Sequence, residues 1–324
     1  MPRVLVTGAN GFVGRHLCPE LVRSGWDVRA VSRRPASTIP SQCETVLVSD
    51  IGRPLHWQPL LEDVQAVVHL VARTHKLQDH NGSAAYQELN VGGTRQLVRA
   101  SIAAGVSRFL FMSSIKAVGE GASAAYSETT PCRPEDDYGQ SKYDAERLLS
   151  EITAGTDLQT VILRSPLIYG AHVKGNFLRL LNAVWRGMPL PLGAIRNTRS
   201  MTYVGNLVSA IEVAMQHPAA AGETFHVADG SALSTRELIV RLAALMRTRA
   251  LLFSVPPPWL RIVGQMARRS DQVRRVTDSL TVSTKRIQDR LQWQPPHSLE
   301  SGLRIQVDWF LQQLSDNGQV RRAA

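Results

Sequence analysis

The chain has 324 residues, of which 44% are hydrophobic and 20% charged, and its formal net charge at pH 7 is +10. This composition is typical of a globular protein with one large or two smaller domains. No apolar run reaches the length of about 18 residues that a transmembrane helix needs. Three widely spaced cysteines predict no metal site and no disulfide, and with an N-terminus that lacks a signal-peptide pattern they favour the cytoplasm. The basic residues form no patch interleaved with aromatic side chains, so nucleic-acid binding is not predicted.

Apolar segments of strand length alternate with helical patterns over the first half of the chain. Strands are predicted at 3–8, 27–32, 44–50, 65–71, 107–114 and 159–165. Helical periodicity covers 11–25, 83–105 (interrupted at Gly92 and Gly93) and 141–155. Strands that alternate with helices predict an α/β fold, in which helices cover both faces of a doubly wound parallel sheet.

The pattern changes after about residue 166, where proline and glycine separate shorter segments. Helical periodicity persists at 205–216, 234–248 and 298–314. We therefore expect a first domain over 1–165 and a smaller, mixed lobe over 166–324 that returns some strands to the main sheet.

An amphipathic and basic segment, PPWLRIVGQMARR, occupies residues 257–269 of this lobe. The favoured prediction is a helix that packs on the lobe or over a cleft. The alternative is a weak peripheral contact with a membrane surface.

A glycine-rich stretch, TGANGFVG at 7–14, lies between the first predicted strand and the first predicted helix. Gly8 permits a tight turn, Gly11 lets the backbone approach a pyrophosphate, and Gly14 allows the helix to pack closely on the strand. The N-terminus of the helix offers N–H groups and the positive end of its dipole to phosphate groups. This arrangement predicts a dinucleotide-binding turn.

Two further motifs point to acid–base chemistry. Tyr138 and Lys142 are four residues apart and share one face of a helix. A neighbouring ammonium group, together with the positive ring of a bound nicotinamide, favours the phenolate, so we expect a lowered tyrosine pKa. Ser114 ends the fifth predicted strand, at the edge where parallel sheets bind ligands, and its hydroxyl can hold the reacting oxygen of a carbinol or ketone.

Taken in this order, the motifs resemble those of the extended short-chain dehydrogenase/reductase family, in its NAD-dependent epimerase/dehydratase branch, whose members act on nucleotide sugars and have a Rossmann-type fold. The resemblance covers most of the chain and includes HLVAR at 69–73, LNVGGT at 89–94, LRSPLIYG at 163–170, GNFLRLL at 175–181 and RSMTYVGNLV at 199–208. It implies a catalytic triad of Ser114, Tyr138 and Lys142. It also implies a C-terminal substrate-binding lobe and a homodimer formed through helices of the cofactor domain.

The resemblance also suggests which residues bind cofactor and substrate. Tyr138 and Lys142 are also expected to contact the cofactor. The other predicted cofactor-binding residues, apart from those at the end of the second strand that are discussed below, are Gly8, Gly11, Phe12, Val13, Gly14, Asp50, Ile51, Leu70, Ala72, Asn90, Ser113 and Pro166. A UDP-sugar substrate is expected to place its diphosphate on Asn176 and Arg199 and its base near Leu192, since arginine binds phosphate strongly. Arg274 and Arg275 are candidates for the second phosphate.

Three reactions compete within this branch. The 4,6-dehydratases carry an Asp-Glu pair after the active-site Ser or Thr, where this chain has Ile115 and Lys116, so dehydration is disfavoured. A similarity to a subgroup from bacterial surface-polysaccharide pathways favours reduction of a UDP-4-keto-6-deoxy-N-acetylhexosamine. The alternative is 4-epimerisation of a UDP-hexose or UDP-N-acetylhexosamine. A non-catalytic NADP-sensing regulator is a third hypothesis, which the intact Tyr138 and Lys142 disfavour.

The segment after the second predicted strand bears on the choice of cofactor. Folds of this kind place an acidic residue there on the ribose 2′-hydroxyl of NAD, whereas this chain has Ser32, Arg33 and Arg34. An arginine at this point accommodates a 2′-phosphate, so we expect NADP(H) to be preferred over NAD(H). The alternative is a solvated basic loop with no part in recognition.

Overall fold

The computed structural model describes residues 1–74, 82–121, 124–267, 270–316 and 318. Its strands are β1 (Arg3–Thr7), β2 (Asp27–Ser32), β3 (Glu44–Leu47), β4 (Val64–His69), β5 (Arg108–Ser114), β6 (Gln159–Ser165), β7 (Leu167–Tyr169), β8 (Arg199–Tyr203), β9 (Glu223–His226) and β10 (Ala232–Leu233). A seven-stranded sheet has the order β3-β2-β1-β4-β5-β6-β9, and all its neighbouring strands are parallel. A second, mixed sheet has the order β10-β8-β7.

The α-helices connect and cover these sheets. They are α1 (Gly14–Arg23), α2 (Gly82–Tyr86), α3 (Gly93–Ala103), α4 (Asp137–Thr153), α5 (Gly175–Trp185), α6 (Val204–Gln216), α7 (Thr235–Leu245), α8 (Pro257–Met266), α9 (Ser270–Thr277), α10 (Lys285–Leu291) and α11 (Leu299–Asp316). A π-helical segment, Gln87–Gly92, joins α2 to α3. Short 3-10 helices lie at Gln58–Leu61, Ile115–Ala117 and Pro218–Ala220.

Both faces of the main sheet are buried. On β1, Val4 and Val6 pack into one core with α1 and α6, whereas Leu5 packs into the opposite core with α3 and α4. Successive side chains of a strand point to opposite faces, so a strand covered on both sides must be apolar at nearly every position. This explains the unbroken apolar runs in the sequence. The predicted doubly wound parallel sheet of Rossmann type is confirmed.

The boundaries of some elements differ from the prediction. Helix α4 begins at Asp137 instead of residue 141, because the Asp136 carboxylate accepts a hydrogen bond of 2.7 Å from the backbone N of Gly139 and caps the helix. Tyr138 therefore lies in the first turn of α4. The predicted interruption at Gly92 and Gly93 is the junction of the π-helical segment with α3, where a Cβ on Gly93 would lie 2.9 Å from the Ile51 carbonyl oxygen.

The chain after residue 166 contributes to both sheets. Strand β9 extends the main sheet beside β6, and α10 packs into the same core as α1. The mixed sheet has its own core, to which α5, α7 and α11 contribute Phe177, Leu242 and Phe310.

Helix α8 forms within the predicted amphipathic segment, of which residues 268 and 269 lie outside the described residues. It packs against α9, as expected for a helix on the lobe, but its apolar side chains are exposed. No helix in the described ranges has the length and apolar character needed to cross a membrane.

A buried carboxylate, Asp229, links β7, β8 and α6. Its Oδ1 accepts hydrogen bonds from the backbone N of Tyr203 (2.7 Å) and from Nδ2 of Asn206 (2.8 Å), and its Oδ2 accepts one from Oη of Tyr169 (2.8 Å). Burial raises the pKa of Asp229, and the three donors oppose that shift. The carboxylate is thus the common acceptor at the junction of the two sheets.

We expect Asp229→Ala to lower the free energy of unfolding by about 3 kcal/mol or more, because three buried donors lose their acceptor. Tyr169→Phe removes one of those donors and should lower it by about 1 kcal/mol. Urea denaturation of the two variants measures both values. Equal losses would show that Asp229 is not the centre of the cluster.

Candidate active site

The carboxyl ends of the parallel strands meet at one edge of the main sheet, and a continuous cleft of about 1290 Å³ follows that edge into the mixed lobe. The cleft brings together most of the residues singled out in the sequence. They are Gly8, Gly11, Phe12, Val13, Gly14, Ser32, Arg33, Asp50, Ile51, Leu70, Ala72, Ser113, Ser114, Tyr138, Lys142, Pro166, Asn176, Leu192, Arg199 and Arg275. Arg34, Asn90 and Arg274 do not line it.

The glycine-rich turn forms one end of the cleft. Gly8 has a φ of +73°, and a Cβ on Gly14 would lie 2.3 Å from the Gly8 carbonyl oxygen, so a larger residue at position 14 would push α1 away from the turn. Backbone atoms, with little side chain between them, therefore border this part of the cleft at the N-terminus of α1. The turn fits the pyrophosphate of a dinucleotide, which is bound by backbone N–H groups.

Arg33 and Arg34, which the sequence could not distinguish, occupy different positions in the structure at the end of β2. The Ser32 hydroxyl donates a hydrogen bond of 2.8 Å to the Arg34 carbonyl oxygen, which closes the turn. Both arginine side chains are exposed, but only Arg33 lines the cleft. Of the two arginines, Arg33 is therefore the one that can contact a ligand in the cleft.

The three predicted catalytic residues meet in the middle of the cleft. Ser114 ends β5, and its side chain is hydrogen-bonded to that of Tyr138 in the first turn of α4. Lys142 lies one turn further along α4, where its Nζ donates a hydrogen bond of 2.7 Å to the Met112 carbonyl oxygen. Its ammonium also lies 4.4 Å from the centre of the Phe111 ring.

Burial shifts both titrating groups of this triad. It raises the pKa of Tyr138 to about 12, and the hydrogen bond with Ser114 acts in the opposite direction. Burial lowers the pKa of Lys142 to about 7, and the charge of Glu146 opposes that shift. Burial outweighs the hydrogen bond with Ser114, and Asp136 and Tyr86 raise the pKa further. Tyr138 is therefore held as a phenol, and added positive charge beside it would favour the phenolate. The lowered tyrosine pKa expected from Lys142 and the nicotinamide ring together stays a prediction for the cofactor-bound site.

Asn90, which was predicted to line the cofactor channel, does not border the cleft. It is buried, its Nδ2 donates to Ser141 Oγ (2.8 Å), and its Oδ1 accepts from the backbone N of Arg73 (2.7 Å). Ser141 Oγ in turn donates to the Tyr138 carbonyl oxygen (2.8 Å). Asn90 thus connects the loop after β4 to the first turn of α4, which carries Tyr138.

An ion pair that the sequence analysis missed lies below the triad. Glu146 on α4 and Arg164 on β6 have side chains only 5% and 8% exposed, and Arg164 Nη2 lies 2.5 Å from Glu146 Oε2. The hydroxyl of Ser113 donates to the same carboxylate, although Ser113 also borders the cleft. The available signal was the spacing, since Glu146 is one helical turn beyond Lys142 on the same face.

The lobe end of the cleft carries several cationic side chains. Arg199 lines it and donates a hydrogen bond of 2.8 Å to the Asp278 carbonyl oxygen, and burial lowers its pKa. Asn176 is exposed near the start of α5 and faces the same space, while Leu192 adds an apolar wall. The sequence analysis had missed two further cations, Lys174 and Arg179. Such a set suits a diphosphate.

The two candidates for the second phosphate differ in position. Arg275 lines the cleft. Arg274 is turned away and forms ion pairs with Glu135 and Asp278. Only Arg275 is therefore placed to contact a ligand in the cleft.

The positions directly after Ser114 lack the carboxylates that dehydration would use. Ile115 is buried, and Lys116 Nζ donates to Glu120 Oε1 and to Asp136 Oδ2, both at 2.5 Å. Glu120 reaches the cleft, but it is engaged by Lys116. This part of the site is organised by an ion pair.

Comparison with known proteins agrees with this geometry. The model of the NAD dependent epimerase/dehydratase family matches residues 4–228. A UDP-glucose 4-epimerase from Vibrio cholerae is 35% identical over 319 residues, which cover 96% of this chain and 97% of the relative. An N-acetyl-alpha-D-glucosaminyl-diphospho-ditrans,octacis-undecaprenol 4-epimerase from Escherichia coli O157:H7 is 29% identical and covers 79% of this chain and 76% of the relative. The solved structure of MoeE5 in complex with UDP-glucose and NAD is 30% identical, with a TM-score of 0.80, and covers 96% of this chain and 99% of that chain.

We expect Glu146→Gln to lower the pKa of Lys142 below its value of about 7, because the carboxylate charge that favours the ammonium is removed, while the one amide oxygen can still accept from Ser113 and from Arg164 Nε. The chain has only five lysines, so ¹³C-labelled lysine can be followed by NMR during a pH titration. The control is Glu151→Gln, at an exposed position on the same helix. A Lys142 midpoint that is equal in the two variants would refute the coupling.

Proposed function

Because the chain belongs to the NAD dependent epimerase/dehydratase family, we propose that it acts at C4 of a UDP-sugar, as a 4-epimerase. One observation carries the proposal: Ser114, Tyr138 and Lys142 meet in a single cleft between a dinucleotide-type turn and a cationic lobe. The 35% identity with the Vibrio cholerae protein, whose described activity is 4-epimerisation, supports epimerisation over other reactions at that carbon.

The roles of the residues follow from their positions. A nicotinamide cofactor bound along the turn after β1 supplies the acceptor and donor of the hydride. Tyr138 takes the proton of the C4 hydroxyl as the 4-keto sugar forms, and returns a proton to the same oxygen when the opposite face is reduced. Ser114 holds that oxygen through its hydroxyl. Lys142 favours the phenolate form of Tyr138 when it is protonated, and it can hold the ribose hydroxyls of the cofactor.

The lobe end of the cleft supports a nucleotide-diphosphate substrate. Arg199 and Arg275 can each neutralise one phosphate, and Asn176 can donate a hydrogen bond from its amide. The presence of UDP-glucose in MoeE5, a structure of 30% identity, favours uridine as the base. Leu192 offers an apolar surface for it.

A second candidate function is 4-ketoreduction, for which the keto sugar is a UDP-4-keto-6-deoxy-N-acetylhexosamine of a surface-polysaccharide pathway. The observation that favours it is Arg33, which lines the cleft at the end of β2, where an acidic residue would repel a 2′-phosphate. A preference for NADPH suits a reductase, which must exchange its cofactor at each turnover.

We expect Tyr138→Phe to lower kcat by about 10²-fold to 10⁴-fold, because the phenol is the group that moves the proton. The matched control is Tyr143→Phe on the same helix, which should retain activity. The assay follows UDP-glucose, UDP-N-acetylglucosamine and UDP-4-keto-6-deoxy-N-acetylglucosamine separately. Interconversion without net cofactor use identifies the epimerase, and NADPH consumption with the keto sugar alone identifies the reductase. Full activity of Tyr138→Phe would refute the mechanism in either form.

We expect Arg33→Asp to weaken NADPH binding by about tenfold to 100-fold and NADH binding much less, because a charge-assisted hydrogen bond to the 2′-phosphate is replaced by repulsion. Arg34→Asp, outside the cleft lining, is the control. Calorimetric titration measures both affinities. Equal losses for the two cofactors would leave Arg33 as a solvated surface residue.

A further inference from the structure

The exposed apolar residues of the molecule are concentrated at α8. Six of the eleven large apolar side chains that are exposed among the described residues lie between positions 251 and 266. Four of them, Trp259, Ile262, Val263 and Met266, are spaced as one face of the helix and are between 47% and 83% exposed. We call these four residues the α8 stripe. Soluble monomers rarely expose a continuous apolar face of this kind unless it binds something.

The net charge of the chain is concentrated in the same segment. Between residues 247 and 275 the sequence holds seven arginines and one acidic residue, so this segment carries +6 of the total net charge of +10. Arg247 and Arg249 are exposed just before α8. Arg261, on α8 itself, is exposed and paired with Asp278. An apolar helix face flanked by excess arginine is the combination that anionic lipid surfaces bind.

We propose that the α8 stripe docks the protein on an anionic phospholipid surface. The stripe enters the boundary between headgroups and acyl chains, and the exposed Arg247 and Arg249 face the lipid phosphates. Trp259 is well suited to this boundary, because an indole ring combines a large apolar area with one polar N–H group. The favourable free energy of binding comes from both apolar burial and charge attraction, so binding is weaker on neutral lipid and at high salt.

The charge distribution favours lipid over a second copy of the chain as the occupant. If two copies met through this face, two segments of net charge +6 would lie together, and their electrostatic repulsion would weaken the dimer. A lipid surface of opposite charge gains from the same residues.

Docking at α8 would bring the cleft close to the lipid. Helix α8 packs against α9, and α9 lines the cleft with Val273, Arg275 and Val276. The lobe end of the cleft is therefore separated from the α8 stripe by about the width of one helix, on the order of 10 Å. The enzyme would work beside the membrane, while α8 itself contributes no catalytic group.

Flotation of the full chain with vesicles tests the proposal. We expect co-flotation with phosphatidylcholine vesicles that contain phosphatidylglycerol, and binding weaker by about tenfold or more with phosphatidylcholine alone or at high salt. Val263→Glu, in the middle of the α8 stripe, should reduce binding to the anionic vesicles by about tenfold or more. The matched control is Val240→Glu at an exposed position on α7, which should bind as the wild type does.

Tryptophan fluorescence reports the orientation. Trp259 is the exposed member of the six tryptophans, so brominated lipid should quench the wild type and leave Trp259→Phe nearly unquenched. The proposal is overturned if the wild type does not bind anionic vesicles, or if Val240→Glu and Val263→Glu lose binding equally. It is also overturned if light scattering shows a wild-type oligomer that Val263→Glu dissociates, since the α8 stripe would then be a self-association face.

Discussion

The buried ion pair of Glu146 and Arg164 is the interaction on which the catalytic geometry depends. Two charges so far removed from water must stay paired, because an uncompensated buried charge costs several kcal/mol, on the order of 3–5. The pair therefore fixes α4 against β6, and the hydrogen bond from Ser113 adds β5 at the same point. Ser114, Tyr138 and Lys142 lie on those elements. Ser114, Tyr138 and Lys142 line the cleft, and their positions are set by a carboxylate and a guanidinium beneath them.

A second network connects α4 to the end of β1 beside the glycine-rich turn. Thr94 Oγ1 donates to the Asn90 carbonyl oxygen (2.6 Å), so it accepts from Nε2–H of His69 (3.1 Å), and Nδ1 of His69 accepts from the Thr7 hydroxyl (2.7 Å). Burial lowers the pKa of His69 to about 3, which keeps the ring neutral and its two nitrogens in these roles. Through Asn90 and Ser141 the chain of bonds reaches Tyr138. The glycine turn and the catalytic tyrosine are thereby joined by buried hydrogen bonds, and the site is preorganised.

The sequence predicted the parts of the fold that depend on local patterns. Strands buried on both faces have unbroken apolar runs, and the predicted and observed bounds of β2 and β6 agree, whereas the largely exposed edge strand β3 is three residues shorter than predicted. The cleft residues were found because motif residues at the ends of parallel strands must meet at one edge. The roles of Glu146, Arg164 and Asn90 were missed, because a polar residue acquires such a role only when the fold buries it. The burial that raises the pKa of Tyr138 was missed for the same reason, since burial is a property of the assembled site.

Helical periodicity shows that a helix has an apolar face but not what covers that face. On α1 the pattern places Leu17 and Leu21 in the core, as it does for most helices of the molecule. On α8 the same kind of pattern leaves the stripe exposed, so periodicity alone could not choose between packing and a lipid contact. Charge distinguishes the two cases. A helix that covers a core gains nothing from excess arginine around it, whereas a helix at an anionic surface does. Arg247 and Arg249 are exposed and precede α8 in the sequence, and Arg261 is exposed on α8 itself, whose apolar face the fold leaves uncovered.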